Sequence, residues 1–192
     1  SLSVLSSLPA ALQSLQLTVP VTISDISPLK QLTSLTKLNL CGPTVLGVKD
    51  TQLFKLSKEL LVDLFRALRR LKTLALFFFE IECIDSQVLQ DLPELKFLEL
   101  NNNRITHMHG DAFKKHGTAI QHLKLKGNRS TTEQPPVLES SSNPLSALTS
   151  GFAGLVNLQH LNLDRSGIQE LASGCFESLV NLTDLDLSNN EL

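Results

Sequence analysis

Apolar residues recur along this chain in a fixed rhythm of spacings, three and then two. The triplets are Leu12-Leu15-Leu17, Leu35-Leu38-Leu40, Leu71-Leu74-Leu76, Leu95-Leu98-Leu100, Ile120-Leu123-Leu125, Leu158-Leu161-Leu163 and Leu182-Leu185-Leu187. Each opens a phrase of the form Leu-x-x-Leu-x-Leu-x-x-(Asn)-x-(Leu/Ile). The copy at Leu95 is the fullest, with Asn103 in the ninth slot and Ile105 in the eleventh. Slots four and six are apolar around one variable residue, which is the period-two alternation of a short strand. A second apolar series precedes the phrases. Phe65, Leu89, Phe113, Phe152 and Phe176 stand six or seven residues ahead of a phrase, and Leu32, Leu68, Leu92, Leu155 and Leu179 stand three ahead. These residues predict a back half that fills the interior from the wall opposite the strands.

The phrases start 23, 36, 24, 25, 38 and 24 residues apart. Most of these intervals fall in the roughly 20–29 residue period of a leucine-rich repeat, and the phrase is that repeat's signature. A single repeat cannot bury its own apolar face. Stacked repeats join their strands into a parallel sheet over a continuous core. The expected fold is therefore α/β, a leucine-rich repeat solenoid curved as a horseshoe. Its parallel sheet lines the concave face, with loops and short helices on the convex face. Residues 1–192 are expected to form a single domain of about seven to eight repeats. No cysteine cluster or polar cap flanks the array, so the stretch is read as a fragment of a longer ectodomain. The segment Ser1 to Leu17 lacks the basic start of a signal peptide and reads as the back half of an earlier repeat. No run is long enough for a transmembrane helix, so a membrane span is expected only outside this fragment.

The departures from the phrase are specific. Asn fills the ninth slot at Asn103, Asn128 and Asn190, a structural ladder expected to satisfy buried backbone groups at the turn. Pro20, Pro43, Phe79 and Ser166 fill it elsewhere. Pro and Phe cannot bond as Asn does, so a change of curvature or twist is expected between Phe79 and Asn103. The first long interval holds Leu60, Leu61, Leu64, Phe65 and Leu68 at helical spacing, with Arg66, Arg69 and Arg70 on the other side. This predicts a convex-side amphipathic helix over roughly residues 57–69. The second long interval, about Ser130 to Leu148, is polar and carries Pro135, Pro136 and Pro144. It reads as a long exposed loop, either functional or disordered.

Slots three, five and seven point to the concave face. Phe77 and Phe97 form an apolar spot there, read either as a binding hot spot or as local packing. His122, Lys124 and Lys126 make a basic patch, followed by acidic Asp164, Asp184 and Asp186. His122 and His160 share slot three of neighbouring phrases and are candidates for a pH-sensitive contact. The candidate ligand-binding residues are Phe77, Phe97, His122, Lys124, Lys126, His160 and Asp164.

Composition narrows the classes further. Leucine accounts for 41 of 192 residues, and the net charge is −2, so nothing global favours nucleic acid or an anionic membrane. Cys41, Cys83 and Cys175 sit in separate repeats. Their odd number and wide spacing argue against a disulfide framework, and Cys41 is a candidate free reactive thiol on the concave face. No phosphate loop, nucleophile elbow, Cys-x-x-Cys pair or metal-ligand set is recognisable, so neither catalysis nor a cofactor is expected. Two sequons occur, Asn128-Arg129-Ser130 and Asn181-Leu182-Thr183. Asn181 precedes a strand at a surface corner and is the expected glycosylation site. Asn128 belongs to the inward ladder and is expected to be unmodified.

The back-half Phe slot, together with the run from Phe176 to Leu192 (FESLVNLTDLDLSNNEL), resembles extracellular leucine-rich repeats. With the irregular repeat lengths, interrupted Asn ladder and sequon before a strand, the chain is similar to Toll-like receptor ectodomains. The resemblance implies the ligand-recognition ectodomain of an innate immune receptor. Such an ectodomain binds a microbial or self ligand and dimerises for signalling, on the extracellular side of a cell-surface or endosomal membrane. The segment Thr22 to Leu38 resembles shorter intracellular repeats instead. That keeps open a second reading, a protein-interaction scaffold or a matrix or adhesion protein without receptor signalling.

Overall fold

The computed structural model describes residues 3–19, 25–42, 56–114, 119–127, 147–148 and 151–192. Every phrase contributes one strand to a seven-stranded sheet. The strands are β1 (Ser14–Thr18), β2 (Lys37–Cys41), β3 (Thr73–Phe77), β5 (Phe97–Glu99), β7 (His122–Lys124), β9 (His160–Asn162) and β11 (Asp184–Asp186). They follow one another in chain order and every pairing is parallel, each slot facing the same slot of the next phrase. The register is set by burial. A one-residue slip would turn the leucines of slots four and six out of the core. Those leucines are almost fully buried from Leu38 to Leu163 and are partly exposed only in the first and last strands.

A carbonyl ladder ties the coils together ahead of the strands. The second-slot carbonyls of Gln13, Thr36, Lys72, Lys96, Gln121 and Gln159 each accept the second- and third-slot N–H groups of the next phrase, at 2.8–3.1 Å. The back halves close the core as their spacing predicts. Phe65, Phe113, Phe152, Leu32, Leu68, Leu92 and Leu155 are buried, and the half-buried Phe176 ring stacks 5.9 Å from Phe152. At the N-terminus, a short helix α1 (Ser3–Ser6) places Leu5 in the core, as a back half would.

The predicted convex helix is present as α2 (Lys58–Ala67). Ser57 caps it by accepting the Leu60 N–H, Glu59 sits in the first turn and Arg66 in the last, where each suits the helix dipole. Leu61, Leu64 and Phe65 face the core, while Arg66, Arg69 and Arg70 are exposed. Further short elements are a 3₁₀ turn (Ser27–Gln31) and α3 (Ser86–Leu89), whose cap is Asp85.

Two small parallel sheets behind the main one do not follow from the phrase. They pair β4 (Cys83–Ile84) with β6 (His107–Met108), and β8 (Ala147–Leu148) with β10 (Glu170–Leu171). The signal for β4, β6 and β10 is a second apolar spacing of three that starts in the eleventh slot of the phrase, at Ile81-Ile84, Ile105-Met108 and Ile168-Leu171. The expectations resting on Pro20, Pro43, Asn128, the first insertion up to residue 55 and nearly all of the second insertion lie outside the described residues.

Candidate ligand-binding face

Asn103 and Asn190 hold the turns that end the strands. Asn103 is fully buried. Its Nδ2 donates to the carbonyls of Leu76 (2.8 Å) and Leu100 (2.9 Å), and its Oδ1 accepts from the N–H groups of Phe79 (3.0 Å) and Ile81 (3.4 Å). Asn190 repeats the set on Leu163, Leu187, Ser166 and Ile168. Between them Ser166 stands in with its hydroxyl, which donates to the Leu125 carbonyl at 3.1 Å. Phe79 fills its slot as a fully buried apolar plug. The strands of the main sheet change at this point, running five residues in β1, β2 and β3 but three in β5, β7, β9 and β11.

The eighth slot turns the chain. Phe78, Asn102, Arg165 and Asn189 all have φ between 56° and 59°. Asn tolerates this left-handed region, and a bulky aromatic does not. In the second phrase the slot is Gly42, and there the need is space: a Cβ would lie 2.1 Å from the Phe78 carbonyl oxygen.

On the concave face, residues group by slot rather than by chemical likeness. Phe97, His122 and His160 occupy slot three of successive strands and form one stack. The Phe97 and His122 rings lie 4.2 Å apart and 7° from parallel, and the His122 and His160 rings 4.3 Å and 5°. His160 Nδ1 then reaches Asp184 Oδ2 at 2.9 Å, so the row ends on a carboxylate. Burial holds the His122 imidazole below its ordinary pKa, reinforced by His160 and Lys124 and opposed by Asp184. Phe97 is 42 % exposed.

Phe77 and Phe97 do not share a place on the sheet. Phe97 pairs with Thr73, and Phe77, at the far end of β3, pairs with Cys41. The apolar spot expected of them is two separate features, because slots three and seven lie at opposite ends of a strand.

Nor do the basic and acidic patches stand apart. Lys124 lies 3.7 Å from Glu99, and Lys126 lies 2.7 Å from Asp164. Asp164 is itself buried, accepts from Asn189 at 2.7 Å and lies 3.8 Å from Arg165. Burial pushes its carboxyl up, but the Lys126 and Asn189 hydrogen bonds and the cationic charges outweigh this and hold it below the ordinary value. Asp186 is taken up by Asn162 and the Ser188 N–H. The face is an array of local pairs, and the charge gradient legible in the sequence cancels across neighbouring strands.

Cys41 is half-buried and burial raises its thiol pKa, the opposite of what a reactive thiolate needs. Cys83 is also half-buried and Cys175 buried, and all three are free. Asn181 is exposed at the corner before β11, where its Nδ2 donates to the Val156 carbonyl at 2.7 Å. It lines a pocket of about 570 Å³ together with Lys72, Lys96, Gln121 and Gln159. Among the described residues no His, Cys, Asp and Glu cluster could hold a metal, and no helix is long and apolar enough to cross a membrane.

Residues 138–192 match the leucine rich repeat family. Over 135 residues the chain is 34 % identical to podocan of Mus musculus, covering 65 % of this chain and 22 % of podocan. The chain thus spans less than a quarter of that relative. An internalin from Listeria monocytogenes superposes with a TM-score of 0.57 at 26 % identity, over 93 % of this chain and 42 % of the internalin. Toll, from the Drosophila Toll–Spatzle complex, superposes with a TM-score of 0.64 at 20 % identity, a likeness of fold, over 94 % of this chain and 24 % of that one. The parallel sheet, the inward Asn turns and these likenesses agree: the chain folds as a leucine-rich repeat solenoid.

Proposed function

We propose that this solenoid is the ligand-recognition part of an extracellular, Toll-like innate immune receptor. On this reading it binds a microbial or self ligand on its concave face and dimerises for signalling. It is a binding module and not an enzyme. The observation that carries the reading is the Phe97–His122–His160 stack, an aligned row of rings on the open face of the sheet. An exposed ring on a rigid sheet is pre-organised for contact, which lowers the entropy cost of binding. The likeness to Toll, solved in complex with Spatzle, supports a protein ligand.

One observation favours a scaffold or matrix protein instead. Most of the concave charges, Lys37 apart, are paired among themselves, which leaves little field to steer a charged microbial ligand.

The test is a binding screen with the chain secreted from human cells as a tetramer. Bacterial cell-wall preparations and secreted protein ectodomains serve as analytes. Expected is a binder weakened by the concave charge reversals Lys37→Glu or Asp186→Lys and indifferent to the convex Arg69→Glu. Binding that ignores both concave reversals and follows Arg69→Glu sinks the concave reading. A protein binder that leaves the untagged, non-tetramerised chain monomeric in sedimentation supports the scaffold reading.

A further inference from the structure

The slot-three row runs Ser14, Lys37, Thr73, Phe97, His122, His160 and Asp184 across the sheet. From Phe97 onward each member is engaged by the next: ring on ring, ring on ring, imidazole on carboxylate. In the other direction the row breaks. One face of the Phe97 ring is covered by His122, while the residue across the ladder on its other side is Thr73, too short to reach up beside it. Beyond Thr73 stands Lys37, exposed and, among the described residues, without an ion pair. The row therefore has a gap one strand wide, with an aromatic face on one bank and an ammonium on the other.

The size of the gap selects its occupant. Strands lie about 4.8 Å apart, so Phe97 and Lys37 are separated by roughly 9.6 Å at the backbone. A planar ring stacked on Phe97 at the spacing already seen in this row, 4.2–4.3 Å, leaves roughly 5 Å to the lysine side. That is within the ~6 Å reach of a cation over a ring face. An aromatic ring meets both banks favourably. A guanidinium would stack on Phe97 but be repelled by Lys37, and an aliphatic group gains neither interaction. Ala75, two residues along β3, is small and already buried, so it adds no bulk beside the gap over the half-exposed Thr73. Asn39 and Glu99 flank it and offer polar partners to a hydroxyl or a backbone.

We propose that the concave face takes an aromatic side chain of a protein ligand over Thr73, its ring stacked on the open face of Phe97 and capped by the Lys37 ammonium. The inserted ring continues the stack by one step, making it four rings long. This rests on the concave binding reading above, and it specifies what anchors the ligand there.

The experiment selects a random twelve-residue peptide library, displayed on phage, against the wild-type chain. Selected peptides are then titrated against variants whose fold is checked by circular dichroism. Expected are peptides enriched in Phe, Tyr or Trp, whose affinity falls about tenfold with Phe97→Leu and with Thr73→Phe, and less with Lys37→Met. Thr73→Phe is the decisive variant, because it fills the gap from within and leaves the rest of the face unchanged. Peptides enriched in Arg, or no aromatic-bearing binder at all, overturn the proposal. Binding that ignores Thr73→Phe and Phe97→Leu but is lost with Asp186→Lys overturns it while leaving the concave reading intact. Loss confined to Arg69→Glu overturns both.

Discussion

Asn103 accepts the N–H of Phe79 at 3.0 Å across 24 residues of chain, so the turn of one coil is held by the side chain of the next. The contact is fully buried and is one of five hydrogen bonds, 2.8–3.4 Å long, that a single amide makes there.

Asn103→Ala therefore strands buried donors and acceptors in two coils at once. Each buried backbone group left unpaired costs about 1–3 kcal/mol. The expected loss is about 3 kcal/mol in urea unfolding. Asn190→Ala removes the matching set from a half-exposed coil, where water can substitute, and is expected to cost about 1 kcal/mol. Equal losses at the two positions would contradict this account of the ladder.

Gly42 and Phe78 face each other across adjacent coils and should respond in opposite directions. Gly42→Ala drives a Cβ into the Phe78 backbone carbonyl, which has no flexible end to give way, and is expected to destabilise by about 2–3 kcal/mol. Phe78→Asn relieves an aromatic residue at φ 59°, in the slot where Asn102 and Asn189 already adopt the same turn. Relief of about 1 kcal/mol offsets the lost ring contact, so the variant is expected to match or exceed the wild-type midpoint. A clear drop for Phe78→Asn would show that packing, not strain, governs this turn.

Lowering the pH should weaken the fold through His122. Burial, His160 and Lys124 depress its pKa in the folded chain below 6.5, and Asp184 opposes them only in part. The unfolded chain then takes up a proton here before the folded one does. The contribution is fully present above about pH 6.5 and is lost as the pH falls below it. His122→Phe keeps a ring in the stack and removes the titration. Its melting temperature should fall less steeply between about pH 7.5 and 5 than that of the wild type. Parallel pH profiles would exclude the mechanism.

Asn181 should carry a glycan when the chain is secreted from human cells. It is exposed, and one Nδ2 hydrogen can keep the Val156 carbonyl while the other is replaced. Intact mass spectrometry is expected to show a glycan that disappears in Asn181→Gln. An unmodified Asn181 on secreted protein would remove this support for the extracellular reading.

The repeat rhythm by itself determined the fold. Slots four and six, the back-half Phe and Leu and the α2 stripe are all apolar positions at fixed spacing. Burial of such positions depends on period alone, because stacking is the one way each repeat can hide its face. The inward roles of Asn103 and Asn190 were legible for the same reason, since a polar residue amid a buried series must bond backbone.

Of the binding face, the His122–His160 contact was legible from their shared slot, and the rest only as a list of residues. The sequence grouped Phe77 with Phe97 by chemical kind and separated Lys126 from Asp164 by 38 positions. The tertiary structure joined Phe97 to His122 and His160, and closed Lys126 on Asp164. Parallel register places equal slots about 4.8 Å apart however long the intervening loop. Which side chains meet across that spacing, and which gap between them stays open, is decided by the stacked strands and not by order along the chain.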